Sequence, residues 1–325
     1  MDPSTELLTE QEAAVYDRQI RVWGVDAQRK LSKARVLVVG MSGVVAETCK
    51  NIVLAGIGSL TLVDDSPVTD EASAANFLVQ FDDSEGQGIT LAEVCAASLR
   101  DYNPMVQVKA EAGSIQSKPD SFFGNFDAII LGRSSVSLKK HVNELCRKQT
   151  HRIAFYTVDV RGTCGSLFVD LRTHSYTSKR AKDDKDVQLE LSYPSFEESL
   201  GVRWSSMPKR TSKLLFALRC LEDFEETEGR QPGHVSSQDL PALLAFWKKA
   251  CEAQTVAESL VPEALLQKLL RAGSTELPPV CAILGGIVGQ ELIKAMSCKG
   301  EPLSNYFFFD AGDGKGIIEK VAPNT

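Results

Sequence analysis

The chain has 325 residues, 43% of them hydrophobic, and a formal net charge of −7 at neutral pH. That length buries one large core or two modest ones, and the composition is that of an ordinary globular protein. The acidic balance excludes a general nucleic-acid binder, which carries a basic excess. Eight cysteines stand at scattered positions, with no C-x-x-C pair and no histidine at zinc spacing. They read as buried reduced thiols, not as a disulfide framework or a metal site. The opening M-D-P-S-T-E-L-L-T-E is acidic and lacks an apolar run, so no signal peptide is expected there. Val280 to Met296 is the most apolar segment, yet it carries Gln290, Glu291 and Lys294 and is too short to span a bilayer. It is read as a buried helix, and no membrane partner is expected.

Thr9-Glu10-Gln11-Glu12 has the spacing of a capping box, and the helix it opens continues through Ala13, Val15 and Tyr16. The run Y-D-R-Q-I-R-V-W-G (16 to 24) ends at Gly24, and a second helix is predicted from Val25 to Leu31. Arg18 and Arg21 share a helix face at i, i+3; by spacing alone this is a solvated, ion-paired surface. Val36 to Val39 is a β-branched run of strand length. Gly40, Ser42 and Gly43 then turn the chain into a helix from Val44 to Ala55. Gly56-Ile57-Gly58 breaks it, and a strand from Ser59 to Val63 closes on Asp64.

This is a βαβ unit with a glycine turn after the first strand and an acid after the second. In nucleotide-binding versions the helix N-terminus faces a phosphate and the acid faces a ribose hydroxyl. The G-x-G-x-x-G fingerprint needs glycine at 40, 42 and 45, but the chain has Gly40, Ser42 and Val45, with Gly43 between. Ser42 adds a Cβ where a phosphate would sit, and Val45 adds a branched side chain where helix and strand approach closely. The fold survives this reading. Nucleotide binding in cis at Gly40, Ser42, Gly43, Val45 and Asp64 does not.

Further along, Ser66 to Gly88 reads as loop-rich, Leu91 to Leu99 as a helix stopped by Asn103-Pro104, and Val106 to Lys109 as a strand. A short helix at Pro119 to Phe123, a strand at Ala128 to Leu131 and a helix at Ser137 to Gln149 follow. Ile153 to Val158 is the next strand, Arg161-Gly162 a turn, and Ser166 to Leu171 the partner strand. Alternating strands and helices predict an α/β fold: a Rossmann-like, doubly wound, mostly parallel sheet. Residues 172 to 212 are more polar, with weak strands at Val187 to Leu191 and around Val202 to Trp204. Amphipathic helices are predicted at Thr211 to Glu226, Gln238 to Glu252 and Pro262 to Arg271. The expected organisation is N-terminal helices and a Rossmann-like unit over 1–171, a mainly helical insertion over 172–277, and a C-terminal segment over 278–325 that completes the sheet. Gly312-Asp313-Gly314 reads as a hairpin turn between strands at Tyr306 to Phe309 and Ile317 to Val321. G-D-G-K-G there lacks the spacing of a phosphate-binding loop.

Four segments together resemble one family, the ThiF-type adenylating domains of the enzymes that activate ubiquitin-like modifiers. They are Y-D-R-Q-I-R-V-W-G (16 to 24), the βαβ stretch 36 to 64, L-R-D-Y-N-P (99 to 104) and P-P-V-C-A-I-L-G-G-I-V-G-Q-E-L-I-K-A (278 to 295). Length, Y-F-F-F-D (306 to 310) and the tract K-R-A-K (179 to 182) resemble the branch that serves SUMO, in its small-subunit form. The resemblance implies a pseudo-symmetric pair in which one half binds Mg-ATP and the other has lost that site. Active halves carry a complete glycine turn, D-x-D, N-x-x-R-Q-F-L and a lysine before the next helix. Here the corresponding segments are the degraded turn, Asp64-Asp65-Ser66, A-N-F-L-V-Q (75 to 80) and Gly86-Gln87-Gly88. Losing those charges leaves a triphosphate and its magnesium poorly neutralised.

The resemblance therefore implies the non-catalytic half, which holds no cofactor and no metal by itself. Mg-ATP would sit in the large catalytic partner, and SUMO would be met through the complex. It also gives Arg18 a role in trans, reaching the ATP phosphates of the partner's site, for which a guanidinium fork is suited. No cysteine here is expected to form the thioester. Nuclear residence, read from the basic tract, is a further expectation. The small subunit of a neddylation-type activator and an NAD-dependent oxidoreductase are the alternatives. The first is a longer chain, and the second needs an unobstructed second glycine.

Overall fold

The computed structural model describes residues 8–79, 88–179 and 186–323. Thr9 opens α1 (Glu10–Val15) through the expected capping box: its hydroxyl accepts from the Glu12 amide at 3.1 Å, and the Glu12 carboxylate accepts from the Thr9 amide at 2.8 Å. α2 (Asp17–Trp23) and α3 (Val25–Leu31) are parted by Gly24. The βαβ unit follows as β1 (Arg35–Val39), α4 (Gly43–Leu54) and β2 (Ser59–Val63). The stretch expected to be loop-rich contains α5 (Asp70–Ala75), too short to show an apolar period. Gly86 and Gln87 lie outside the described residues, as does Gln80. A second capping box, Thr90 with Glu93, opens α6 (Leu91–Arg100).

β3 (Gln107–Ala110), α7 (Asp120–Phe123), β4 (Ala128–Leu131) and α8 (Val136–Lys148) come next, close to their predicted bounds. β5 (Ala154–Arg161) is longer than expected, and β6 (Cys164–Asp170) returns beside it. Arg161, predicted in the turn, is the last residue of β5 and pairs with Cys164, because buried acids hold its side chain. β7 (Thr173–Lys179) has no counterpart in the sequence reading; it pairs with β8 (Asp186–Ser192) as a separate two-stranded sheet. Its T-H-S-Y-T-S-K pattern carries too few apolar residues to signal a strand. α9 (Phe196–Leu200) follows. The strand expected around Trp204 is instead a 3₁₀ turn, Trp204–Ser206, whose indole packs 5.5 Å from both Phe216 and Trp247. Aromatic packing, not strand pairing, accounts for that apolar run. The chain ends with α10 (Lys213–Thr227), α11 (Leu240–Gln254), α12 (Glu263–Ala272), α13 (Pro278–Ser297), β9 (Tyr306–Asp310) and β10 (Lys315–Glu319).

The main sheet runs β10-β9-β6-β5-β4-β1-β2-β3. β5, β4, β1, β2 and β3 are mutually parallel, while β6, β9 and β10 add on antiparallel. Helices cover both faces. α4, α6 and α13 build one core with Val36, Val38 and Tyr156, and α8, α10 and α12 build the other with Leu37, Ile129 and Phe155. α13 is long and apolar enough to cross a membrane by length and composition alone. In this fold Val280, Leu284, Val288 and Leu292 are buried against α4 and the sheet. The strand order reverses between β1 and β4, so the crevice of the fold opens beyond their carboxyl ends.

Candidate functional site

In that crevice the chain's own carboxylates take up backbone amides of the glycine turn and the helix start. Gly40, at φ 79°, takes the chain out of β1, and the Met41 amide donates to Asp64 Oδ2 at 2.7 Å. Asp64 Oδ1 accepts from the Ser66 amide at 3.0 Å. The acid expected to face a ribose thus spends both oxygens on the backbone. At the start of α4 the Gly43 amide donates to Glu276 Oε2 at 2.5 Å. Helix N-termini leave amides unpaired and favour negative charge, which is why a carboxylate settles here. Burial pushes the Glu276 carboxyl above the usual glutamate range, as does Asp159; Arg133 and the Gly43 amide pull the other way. Ser42 occupies the N-cap position in extended conformation, but its hydroxyl caps no backbone amide; it lies beside the Glu276 carboxyl and helps to pull it down.

A cavity of about 630 Å³ remains in front of Glu276, lined in part by Ser42, Asp64, Glu71, Arg133 and Glu276. Arg133 is already engaged: it donates to Asp159 Oδ1 at 2.8 Å, to the Ser274 carbonyl at 2.7 Å, and to the Val160 carbonyl. Three carboxylates and a committed guanidinium make a poor seat for a polyphosphate, which needs free cationic donors. Asn76, from the run that resembles N-x-x-R-Q, is buried and donates to the Met41 carbonyl at 2.8 Å, so it braces the turn.

Val45 is tolerated because another residue gives way. A Cβ added at Gly132, at the end of β4, would lie 2.9 Å from Val45 Cγ2 and 3.2 Å from the Gly40 carbonyl oxygen. The close approach lost at position 45 is thus restored from the neighbouring strand. Gly132→Ala is expected to destabilise the chain by about 1–3 kcal/mol through overpacking. Trimming the valine as well, in Gly132→Ala/Val45→Ala, should cost less than the sum of the two single changes. A urea midpoint for each variant checks this, and strict additivity would show that the two positions do not share the space.

Arg18 stands elsewhere. Tyr16 is 2% exposed and accepts from Asn103 Nδ2 at 2.8 Å; Asn103 also donates to the Val53 carbonyl at 2.8 Å. Gly56, at φ 81°, leaves room for the ring: a Cβ there would sit 2.4 Å from Tyr16 Cζ. Gln19 Nε2 donates to the Leu54 carbonyl at 3.1 Å. Tyr16 and Gln19 therefore bolt α2 to the C-terminal end of α4, and Arg18 between them projects into solvent. Among the described residues Arg18 makes no hydrogen bond or ion pair, whereas Arg21 Nη2 lies 2.8 Å from Asp17 Oδ2. α4 has 12 residues and runs from the Gly43 turn to this anchor, a span of roughly 18 Å at the helical rise. The structure does not bring Arg18 to its own crevice.

All eight cysteines are free and seven are buried. Burial pushes the Cys95 thiol up to about 12 and Cys251 up to about 11, and Cys49, Cys146, Cys220 and Cys281 higher still. A thiolate nucleophile needs the opposite shift. Glu276 and Gly132 were not legible in the sequence. Glu276 is 233 positions from its partner Gly43, and no local pattern marks such a contact.

A five-stranded parallel core reversing at β1 and β4, with a glycine turn, an acid after β2 and a helix N-terminus at the crevice, defines an α/β protein of the nucleotide-binding class. Residues 16–324 match the ThiF family, and the chain belongs to it. It is 55% identical over 315 residues to SUMO-activating enzyme subunit 1B-1 of Arabidopsis thaliana, covering 97% of this chain and 98% of that one. Against subunit 1A of the same plant it is 52% identical over 317 residues, 98% of each chain. Against human SUMO-activating enzyme subunit 1 it is 36% identical over 344 residues, 97% of each. The resemblance read from four segments holds over nearly the whole length.

Proposed function

We infer that the chain is the small, non-catalytic subunit of a heterodimeric SUMO-activating enzyme. The complex uses Mg-ATP, held in the large subunit, to adenylate the C-terminus of SUMO. Adenylation gives the carboxylate a good leaving group, and a cysteine of the large subunit then attacks it. The observation that carries this reading is the separation of two features: a crevice whose backbone amides are taken up by Asp64 and Glu276, and an anchored, unpartnered Arg18 at the far end of α4. A cation that serves no partner in its own chain suits an anion in another. The reconstituted pair should catalyse SUMO-dependent ATP–pyrophosphate exchange, while this chain alone neither exchanges nor binds ATP tightly. Tight ATP or NAD binding by the isolated chain would sink the reading.

Val15, Val22, Val25 and Leu54 are exposed around the segment that carries Arg18, with Val22 79% accessible. They support an apolar heterodimer interface here, of roughly 2,000 Å² or more in total as obligate pairs require. Val22→Asp is expected to weaken assembly at least about tenfold while leaving the fold intact. Sedimentation of the mixed subunits reads this out, and unchanged assembly would move the interface elsewhere.

Nuclear residence belongs to the same proposal. Residues 180–182 of the basic tract Lys179-Arg180-Ala181-Lys182 lie outside the described residues. Short basic tracts are read as import signals. Replacing Lys179, Arg180 and Lys182 by alanine should reduce nuclear fluorescence of a tagged chain, and an unchanged signal would remove the tract from the argument.

A further inference from the structure

We propose that Arg219 holds a small monovalent anion, of chloride size, in a cavity between the sheet and the helices α9 and α10. Arg219 stands in the middle of α10 and is 6% exposed. Its Nη2 donates to the Ser199 carbonyl at 2.8 Å, and its guanidinium lies 5.6 Å from the centre of the Tyr306 ring. Nε and Nη1 are buried and find no acceptor among the described residues. A guanidinium stays charged when buried, and a charge taken out of water needs a counter-ion. Arg161, buried as deeply, meets two carboxylates. The acids beside Arg219 do not serve it in that way. Glu222 is held by Lys139 Nζ at 2.8 Å, and Asp223 acts on Arg219 through space without an ion pair among the described residues.

Arg219 lines a cavity of about 30 Å³ together with Thr157, Ser166, Phe168, Tyr306 and Phe308. A water-sized body needs roughly 10–15 Å³, so the space admits a monatomic ion and excludes one of phosphate size. Two guanidinium N–H groups supply charge-assisted bonds on the helix side. The hydroxyls of Thr157 and Ser166, on the paired strands β5 and β6, can donate from the sheet side. Phe168 and Phe308 wall the space with apolar surface, where the attraction between opposite charges is stronger than in water. A water molecule would meet the same N–H groups and leave the charge uncompensated. An anion answers both needs, and it would tie α10 to the sheet.

The test is thermal unfolding of the full chain in sodium chloride against sodium gluconate at equal concentration, gluconate being too large for the cavity. Wild type should gain about 2 °C in Tm once chloride reaches about ten times its Kd, and the gain should saturate. Arg219→Met keeps an unbranched side chain without the charge and should unfold at the same temperature in both salts. An equal chloride gain in wild type and Arg219→Met is a general salt effect and overturns the proposal, as does a wild type with no gain. Should the methionine variant fail to fold, diffraction from wild-type crystals grown in sodium bromide decides. An anomalous bromide peak within hydrogen-bond distance of Arg219 Nε or Nη1 supports the site, and ordered water there without bromide overturns it.

Discussion

Replacing Arg18 by alanine is expected to leave the chain folded and to lower adenylation by the assembled enzyme. The fold should survive because Tyr16 and Gln19, not Arg18, fasten α2 to α4. One charge-assisted contact to a phosphate is worth about 1.5–3 kcal/mol, which is roughly a ten- to a hundredfold loss in rate or ATP affinity. Arg18→Lys should recover part of that loss, since an ammonium keeps the charge without the bidentate fork. Arg21→Ala is the control. Arg21 already pairs with Asp17 on the exposed face of the same helix, a pair of little energetic consequence. The measurement is ATP–pyrophosphate exchange by the reconstituted heterodimer at saturating SUMO. Full activity of the Arg18→Ala complex would reduce this chain to a scaffold.

The second large effect lies in the core. Arg161, 2% exposed, donates to Glu225 Oε1 at 2.6 Å and Oε2 at 2.8 Å, and to Asp159 Oδ2 at 3.0 Å. Glu225 also accepts from the Gly233 amide at 2.9 Å, and Arg133 shares Asp159. This cluster fastens α10 to the end of β5, beside the crevice. Arg161→Ala strands a buried glutamate, and losing one partner of a buried pair costs about 3–5 kcal/mol. Arg161→Lys should recover little, because one ammonium cannot span both carboxylates. Arg161→Leu/Glu225→Leu, which removes the pair together, should be milder than Arg161→Ala. Urea unfolding with an unchanged m-value reads these effects, and a loss below about 1 kcal/mol for Arg161→Ala would place the cluster among weak surface pairs.

The same cluster makes an acid prediction. Burial pushes the Asp159 carboxyl up, but Arg133 and Arg161 outweigh it and hold the group below the usual aspartate range. A depressed carboxyl contributes stability above its unfolded value and loses it as pH falls through the folded one. Arg161→Ala should therefore begin acid unfolding at higher pH than wild type.

Local features of this protein were decided by the sequence alone. The β-branched run at Val36 to Val39, the capping box at Thr9 and the glycine turn at Gly40 each act within a few residues, so each could be read before any fold was known. The missing glycines at 42 and 45 likewise foretold a degraded turn. The consequences of that degradation belong to the tertiary structure. Gly132 restores the space Val45 takes, and Glu276 supplies the anion at α4, each from a distant part of the chain. Arg161 looked like a turn residue because no sequence pattern reveals a carboxylate 64 positions away, at Glu225, waiting in the core. Arg18 shows the division most clearly. Its motif identified it as a candidate, but only the packing of Tyr16 and Gln19 against the far end of α4 determines where it projects. Side-chain direction is set by what its neighbours bury, and burial is a property of the assembled fold.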